Sequence, residues 1–285
     1  MSKLSDYAKS LPLYPLPHHL ISRLVFWATR QKTPLKNPVG ELFIKAFGID
    51  LSEAVGESIE DYDSFNDFFT RALKAGARPI AEGESTLASP VDGTVSQSGK
   101  IKDGRIFQAK GQYFSTLELL GGDPELTQAF NGGQFATLYL SPRDYHRIHM
   151  PTKGVLKKMI YIPGRLFSVA GHTVRTVPRL FARNERVVTV FETERGPIAM
   201  ILVGAINVAA IETVWAGLIT PGRGRSIHSF HYEEQAPTLE KGQEMGRFNM
   251  GSTVILLTGA NVQWDFGFSA DASIKMGQSI GRYND

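Results

Sequence analysis

Two histidines separated by two residues are the first groups in this sequence that could move protons. His146 and His149 lie beside Asp144 in segment 144–151, which follows an apolar run and ends at Pro151. Imidazole titrates near neutral pH and serves as a general acid or base. Single histidines are commonly ordinary core or surface groups, whereas a clustered pair raises the case for a catalytic segment without excluding the ordinary interpretation.

A second reactive position is Ser252, in the sequence Met250-Gly251-Ser252-Thr253 before the apolar run 254–257. A serine hydroxyl can attack the carbonyl carbon of the preceding residue, and a glycine there leaves the approach open. The resulting ester can be broken by β-elimination, and the dehydroalanine that remains hydrolyses to a pyruvoyl group. Three small residues before a strand are also typical of a plain turn, so the motif alone leaves both interpretations open.

The hydroxyl needs a base, which a histidine oriented by a carboxylate provides in the serine-histidine-aspartate arrangement. Asp92 is a candidate carboxylate, but an Asp-Gly pair is also typical of a hairpin turn, so we predict strand, turn and strand over 87–95. A serine hydrolase elbow is excluded, because Gly-x-Ser-x-Gly would need glycine where Met250 and Val254 stand.

Two other classes of protein remain open at this point. A zinc-dependent hydrolase could use the pairs His146/His149 and His228/His231, since four imidazoles can hold zinc. Neither pair, however, has the H-E-x-x-H plan of a metalloprotease. A non-catalytic β module that docks on membranes is the second alternative.

The composition limits the kind of protein. The chain has 285 residues, of which 42% are apolar, so it can bury a sizeable core. Its 28 glycines and 15 prolines favour a body rich in strands and turns. It has no cysteine, which excludes disulfides and thiol nucleophiles. No apolar run of about 18 residues occurs and prolines interrupt the N-terminal segment, so we expect neither a transmembrane helix nor a signal peptide.

The first 75 residues carry an uneven charge. Residues 1–40 hold six basic residues and one acidic residue, a net charge of +5, whereas residues 41–75 hold three basic and eight acidic residues, a net charge of −5. We interpret residues 11–17 as an extended apolar arm. Residues 19–31 predict a helix whose apolar stripe, arginines and Trp27 suit the headgroup region of an anionic membrane. The alternative is an ordinary helix packed on the body.

The pattern as a whole predicts an α+β fold, with a helical N-terminal region packed on a compact, mostly antiparallel β-barrel or β-sandwich body. A short helix begins after Ser64, which can cap it, and ends at Gly76. We divide the chain into a helical, membrane-associating region, 1–75, and a β-rich catalytic domain, 76–285. We expect residues 277–285 to be a loose tail. Strands are predicted over 135–140, 155–162, 187–192, 198–203, 207–214 and 254–257.

Together these segments resemble the phosphatidylserine decarboxylase family, in its bacterial, membrane-associated and pyruvoyl-dependent form, over nearly the whole chain. The family's Leu-Gly-Ser-Thr stands here as Met250-Gly251-Ser252-Thr253, a volume-conserving change that we expect self-cleavage to survive. The other segments that carry the resemblance are 65–71 (FNDFFTR), 89–93 (SPVDG), 110–112 (KGQ), 141–151 (SPRDYHRIHMP), 181–186 (FARNER) and 241–248 (KGQEMGRF).

The resemblance implies a role for each matching residue. Asp92, His149 and Ser252 would form a self-cleavage triad, with His149 as the base and Asp92 orienting it. Ser252 would become the covalent cofactor, a pyruvoyl group (bound pyruvate), whose ketone binds the substrate amine as a Schiff base. His146 would serve decarboxylation by protonating the carbanionic carbon after CO₂ leaves.

The resemblance also implies a zymogen and its products. Autocatalytic serinolysis of the Gly251–Ser252 bond would give a β subunit, 1–251, and an α subunit, 252–285, which stay associated. The enzyme would be a lyase that converts phosphatidylserine to phosphatidylethanolamine in phospholipid biosynthesis, bound peripherally to the anionic cytoplasmic face of the cell membrane. A homodimer of αβ units is left open, and neither nucleic acid nor metal is expected.

Overall fold

The computed structural model describes residues 3–206, 210–222, 224–250 and 252–284, and of Lys3 and Ser252 it describes the backbone alone. Short 3₁₀ turns occur at Leu11–Leu13 and Ile59–Asp61. The α-helices of the described residues are α1 (Lys3–Ser10), α2 (His18–Thr29), α3 (Lys36–Phe47), α4 (Phe65–Phe69), α5 (Thr116–Leu119), α6 (Pro124–Ala129), α7 (Gly171–Thr176) and α8 (Leu180–Arg183).

The strands are short and numerous, as the content of glycine and proline predicts. They are β1 (Thr86–Ala88), β2 (Gly93–Lys100), β3 (Arg105–Ala109), β4 (Gln112–Ser115), β5 (Gln134–Leu140), β6 (Arg147–His149), β7 (Gly154–Ile162), β8 (Arg186–Thr193), β9 (Gly196–Val203), β10 (Ile211–Thr213), β11 (Gly217–Leu218), β12 (His228–His231), β13 (Thr238–Leu239), β14 (Glu244–Phe248), β15 (Ser252–Thr258), β16 (Val262–Trp264), β17 (Ser273–Ile274) and β18 (Ser279–Tyr283).

One large antiparallel sheet organises the body. Its order is β12-β7-β8-β9-β15-β5-β2-β17, with β13 also paired to β7. The α+β class with antiparallel sheets is therefore confirmed. Among the described residues the order runs from one edge strand to the other without returning, so no closed barrel is found, and the sandwich arrangement stays a prediction. Smaller sheets have the orders β1-β18-β16 and β11-β10-β14-β6.

β15 occupies the interior of the large sheet, between β9 and β5. Its residues Val254, Ile255, Leu256 and Leu257 are fully buried, as the apolar run 254–257 predicts. Burial of such side chains contributes roughly 1.5–3 kcal/mol each. The start of the predicted α subunit is thus fixed in the core of the fold.

The N-terminal region is more helical than predicted. The helix over 19–31 is confirmed as α2, but the extended arm over 11–17 is wrong, since residues Leu11–Leu13 form a 3₁₀ turn. Pro12 fits the first turn of a helix, where its missing N–H is not needed. α3 was not predicted, and it ends at Gly48, whose φ of 62° favours glycine. No helix of the described residues is long and apolar enough to cross a membrane.

α4 begins as predicted, because Ser64 Oγ accepts a hydrogen bond from Asp67 N at 3.2 Å. It ends at Phe69 rather than near Gly76. Its aromatic side chains form a second core with residues of the preceding segment, and Met250 packs against this core. The helical region therefore contacts the chain directly before β15. The core residues are Ile49, Ile59, Phe65, Phe68 and Phe69.

The hairpin predicted over 87–95 and the loose tail predicted at the C-terminal end are both wrong. Segment 87–95 is not a hairpin, because β1 pairs with β18 while β2 pairs with β5 and β17. Gly93 is required by close packing, since a Cβ there would collide with the carbonyl oxygen of Tyr139. Segment 277–284 is not loose, because β18 lies between β1 and β16 and buries Ile280. Of the strand predicted over 207–214, residues 211–213 form β10 and residues 207–209 lie outside the described residues.

Candidate active site

The backbone two residues before β15 is in an unfavourable conformation. Met250 has a φ of 104°, a region that favours glycine and costs of order 1–3 kcal/mol for other residues. The backbone of Ser252 then pairs with Leu140 of β5. Gly251, the predicted cleavage position, lies outside the described residues, as does the side chain of Ser252.

The histidine segment is fixed to the strands around it. After a turn at 141–144, β6 pairs with β14, which leads directly to the strained segment. The backbone N–H of Phe248 donates to the carbonyl oxygen of His146 at 3.0 Å, and the N–H of His149 donates to that of Pro90 at 2.9 Å. His146 is therefore on the side that faces the end of β14, and His149 adjoins the segment that carries Asp92.

His146 is fully buried, with 0% of its surface exposed. Its Nδ1 lies 2.8 Å from the carbonyl oxygen of Asp144, which can only accept, so Nδ1 carries the hydrogen. Its Nε2 is a buried atom without a hydrogen-bond partner in the described part of the chain. The Phe69 ring lies 4.2 Å away, centroid to centroid. Burial lowers the pKa of His146 to about 3, which leaves a neutral ring with a free lone pair on Nε2.

His149 has the same tautomer but a different second contact. Its Nδ1 donates to the carbonyl oxygen of Gly242 at 2.9 Å, and its Nε2 lies 3.0 Å from the hydroxyl of Tyr145. Since Nδ1 holds the hydrogen of the neutral ring, the tyrosine donates to Nε2. Burial lowers the pKa of His149, while the hydrogen bond to Gly242, the charge of Glu244 and, to a smaller extent, the charge of Asp92 act in the opposite sense.

Asp92 makes its direct contacts away from the histidines. Its carboxylate accepts from Nε and Nη2 of Arg78, at 2.9 and 2.6 Å, and from the backbone N–H of Met276 at 2.7 Å. Lys275 Nζ lies 3.5 Å away. The groups that orient His149 here are thus Gly242 and Tyr145, and the triad with Asp92 stays a prediction. Arg78 and Tyr145 were missed: Tyr145 lies inside the histidine segment, whereas no sequence signal marks Arg78.

Two cavities border these residues. One, of about 200 Å³, has charged and polar walls that include Arg71, Arg78, Asp92, Arg143 and Tyr145. The other, of about 230 Å³, is mainly apolar, and its walls include Phe43, Phe47, Phe69, Leu140 and Met250. Consecutive residues line the two cavities at 47–48 and at 142–143, so the cavities adjoin. A polar headgroup and an apolar chain could be bound side by side there.

The histidines considered for zinc lie in unlike places. His228 and His231 are exposed on β12, at the edge of the large sheet, while His146 and His149 are buried. Within the described ranges, no group of three or more His, Cys, Asp or Glu side chains is arranged to hold a metal ion. The four imidazoles therefore do not form one described site.

Comparison with known proteins gives a consistent result. The family model described as phosphatidylserine decarboxylase matches residues 65–282, and a model described as PSD matches residues 8–48. Proteins named phosphatidylserine decarboxylase proenzyme are similar over most of their length. One from Alkalilimnicola ehrlichii is 57% identical over 277 residues, 96% of each chain, and one from Pseudomonas fluorescens is 54% identical over 273 residues, 94% of each chain. One from Stutzerimonas stutzeri is 54% identical over 274 residues, 94% of this chain and 92% of the relative.

Proposed function

The chain belongs to the phosphatidylserine decarboxylase family, and from this membership we propose that it is a proenzyme that cleaves itself between Gly251 and Ser252. The products are a β subunit, 1–251, and an α subunit, 252–285. The processed enzyme converts phosphatidylserine to phosphatidylethanolamine and CO₂.

The backbone of Met250 is the single observation that supports the cleavage position best. A non-glycine residue with φ of 104° stores strain, and such strain is concentrated at functional sites. It lies between two well-packed elements, β14 and β15, which hold it in place. Cleavage of the Gly251–Ser252 bond, one residue further on, would free the chain end that carries Met250 and so release that strain.

His149 is proposed as the base that removes the hydroxyl proton of Ser252. It is neutral because burial lowers its pKa, and its hydrogen on Nδ1 leaves the Nε2 lone pair to accept a proton. Tyr145 must leave Nε2, or pass the proton on, when this occurs. Asp92 is proposed to favour the protonated ring by its negative charge, held near the histidine by Arg78.

The surroundings of β15 fit a pyruvoyl group at position 252. The Oγ1 of Thr253, the residue after position 252, is a buried atom without a hydrogen-bond partner among the described residues, so its hydroxyl is free to donate to a carbonyl oxygen. A pyruvoyl group supplies a ketone that reacts with an amine and accepts the electrons released when CO₂ leaves.

His146 is proposed to move the proton in this reaction. Phosphatidylserine carries an ammonium group, which must lose a proton before it can attack a ketone. The free Nε2 of His146 can accept that proton and pass it to the carbon that has lost CO₂, and the product amine regains a proton from water when it is released. The predicted role as a proton donor thus requires that the negative charge of the bound substrate raise the pKa of the ring, since a pKa of about 3 keeps it neutral beforehand.

Residues 1–75 are proposed to bind the cytoplasmic face of the cell membrane, with 76–285 as the catalytic domain. α2 exposes Leu20, Leu24 and Trp27, whose side chains are 58–64% exposed and fall on one side of the helix. α3 exposes Val39 and Leu42, Leu35 is exposed directly before it, and the helix carries Phe43 and Phe47 to the apolar cavity. Apolar side chains beside basic residues favour an anionic lipid surface.

Denaturing mass spectrometry tests the proposed cleavage. We expect two chains, of which the smaller begins at position 252 and is lighter by one ammonia than a chain starting with serine. Ser252→Ala should remain a single chain that releases no CO₂ from phosphatidylserine. Ser229→Ala, an exposed serine on β12, is the matched control and should be cleaved normally. An intact wild-type chain with full activity would contradict the proposal.

Vesicle binding tests the proposed membrane surface. Replacement of Leu20, Leu24 and Trp27 by serine should weaken binding to phosphatidylserine-containing vesicles by at least about tenfold. The control replaces Leu218 and Phe230, which are about half exposed on β11 and β12, and should bind as wild type does. Equal binding by both variants would place the membrane surface elsewhere.

A further inference from the structure

Arg71 and Arg186 are both almost completely buried, but their hydrogen bonds differ. Arg186 is 2% exposed, and its Nε, Nη1 and Nη2 donate to the carbonyl oxygens of Leu119, Asn184 and Glu118 at 2.8, 2.8 and 2.5 Å. Every nitrogen of its guanidinium group therefore has a partner. Arg186 illustrates how this fold satisfies an arginine with a structural role.

Arg71 is 4% exposed, and only its Nη2 has partners. That nitrogen donates to the carbonyl oxygens of Arg143 and Asp144, at 2.9 and 3.4 Å. Its Nε and Nη1 are buried and have no hydrogen-bond partner in the described part of the chain. The Phe68 ring, 5.8 Å from the guanidinium carbon, offers its face but no acceptor in the plane of the nitrogens.

No ion pair formed by the described residues includes Arg71, whereas the neighbouring Arg78 is paired with both Glu53 and Asp92. A buried cation without an anionic partner is costly, since it loses hydration and gains little in return. The same burial lowers the pKa of the Arg71 guanidinium. This environment is therefore incomplete unless an anion occupies it.

The position of Arg71 indicates where such an anion would be bound. Its side chain forms part of the polar cavity that also borders Asp92 and Tyr145. That cavity adjoins the apolar cavity beside Met250, and Arg143 lies at its exposed rim, with 66% of its side chain exposed. An anionic group bound at Arg71 would thus be near the start of β15.

We propose that Arg71 is an oxyanion-binding residue that holds the anionic headgroup of the substrate, through either its carboxylate or its phosphate. This inference rests on the proposed function for the identity of the ligand. The free donors of Arg71 bind the oxyanion, and Arg143 adds a second positive charge from the rim. Arg71 thereby selects lipids whose headgroup carries an anion at the correct distance from the reacting amine.

The binding step can be tested without catalysis, in the full-length Ser252→Ala chain. Inorganic phosphate and acetate serve as separate probes of a phosphate and a carboxylate site, and melting temperature reports binding. We expect at least one anion to raise the melting temperature of the Ser252→Ala chain. Stabilisation by phosphate alone assigns the site to the lipid phosphate, and stabilisation by acetate alone assigns it to the serine carboxylate.

Arg71→Met, added to Ser252→Ala, should abolish this stabilisation, while Arg71→Lys should retain part of it. Without added anion, Arg71→Met should melt close to the parent, because the lost cation had few partners. The matched variant Arg186→Met should melt several degrees lower, since three carbonyl oxygens lose the hydrogen bond from a buried charged donor. If Arg71→Met fails to fold, the test is made with Arg71→Lys, which the anion should stabilise less than it stabilises the parent. Equal stabilisation of parent and Arg71 variants, or of none, would overturn the inference.

The processed enzyme provides a second measurement. In an otherwise wild-type chain, Arg71→Lys should still be cleaved, and its KM for phosphatidylserine should rise by about tenfold or more with a smaller change in kcat. Unchanged KM would contradict a role in substrate binding. If the wild-type chain neither cleaves nor decarboxylates, the proposed function fails, but anion binding by the Ser252→Ala chain is still decided by the melting experiment.

Discussion

His146 and His149 are three residues apart and have the same tautomer, but they lie in different surroundings. Each Nδ1 donates to a main-chain carbonyl, so each neutral ring has its lone pair on Nε2. The lone pair of His146 is enclosed beside Phe69 without a described partner, whereas that of His149 accepts from Tyr145.

The two histidines therefore differ in whether the Nε2 lone pair is free to accept a proton. The Nε2 lone pair of His146 has no partner in the described part of the precursor, so it is available to a substrate that binds after cleavage. His149 has its base held by a hydroxyl, so its orientation is fixed before cleavage. Spacing along the chain identifies both residues as candidates, but only the second contact distinguishes what each can do.

The largest effect should come from removal of each ring in turn. His149→Ala should slow self-cleavage by roughly 10²–10⁴-fold, because the general base is lost, and the chain should remain intact. His146→Ala should be cleaved into two chains but should lose decarboxylation by a comparable factor. Denaturing electrophoresis and CO₂ release measure the two reactions. If both variants behave alike, the separation of roles is wrong.

A smaller effect is expected from Tyr145→Phe. Loss of the hydroxyl removes a donor that stabilises the neutral ring, so the pKa of His149 should rise and its orientation should be less well fixed. Self-cleavage should slow by roughly tenfold, and its acid limb should move to higher pH. Tyr161→Phe, which loses a buried hydrogen bond to Glu185, is the control and should leave the pH profile unchanged. An unchanged profile in Tyr145→Phe would show that this contact does not tune His149.

The smallest effect concerns stability as a function of pH. Burial lowers the pKa of His146 from 6.5 to about 3, so the unfolded chain binds more protons than the folded chain between these values. The contribution of His146 is complete above pH 6.5 and is lost as pH falls towards 3, with a slope of up to about 1.4 kcal/mol per pH unit. Urea unfolding of Ser252→Ala at pH 7 to 5 should show this slope, and His146→Ala should reduce it. Identical slopes would indicate that the pKa of His146 is the same in the folded and the unfolded chain.

Sequence reasoning succeeded where the physical signal is local. The continuous apolar run of β15 and the capping serine of α4 identify those elements because each depends on neighbours in the chain. The prediction of a loose tail over 277–284 failed because the residues of this segment form a strand only through pairing with β16 and with β1, which lies far from it in the sequence. The prediction of a turn at Asp92-Gly93 failed for a similar reason. Glycine is needed at position 93 because the carbonyl oxygen of Tyr139, in another strand, leaves no room for a side chain.

The candidate site was predictable in its residue types but not in its contacts. Asp92, His146, His149 and Ser252 were all named from the sequence, and the structure places both histidines on one short segment. The carboxylate of Asp92, however, accepts from the N–H of Met276, 184 residues away. Such a partner is set by the packing of distant strands, which no local pattern encodes.

The interior position of β15 has a consequence for the protein after cleavage. β15 pairs on both sides with strands of the N-terminal fragment, and β17 and β18 pair with β2 and β1. Before the cut, folding is a one-molecule process. Afterwards, the same native state can be regained only when two fragments meet, so refolding becomes a second-order reaction. We expect the mature enzyme to persist because the sheet opens slowly, and to be unable to recover efficiently at high dilution once it has been denatured.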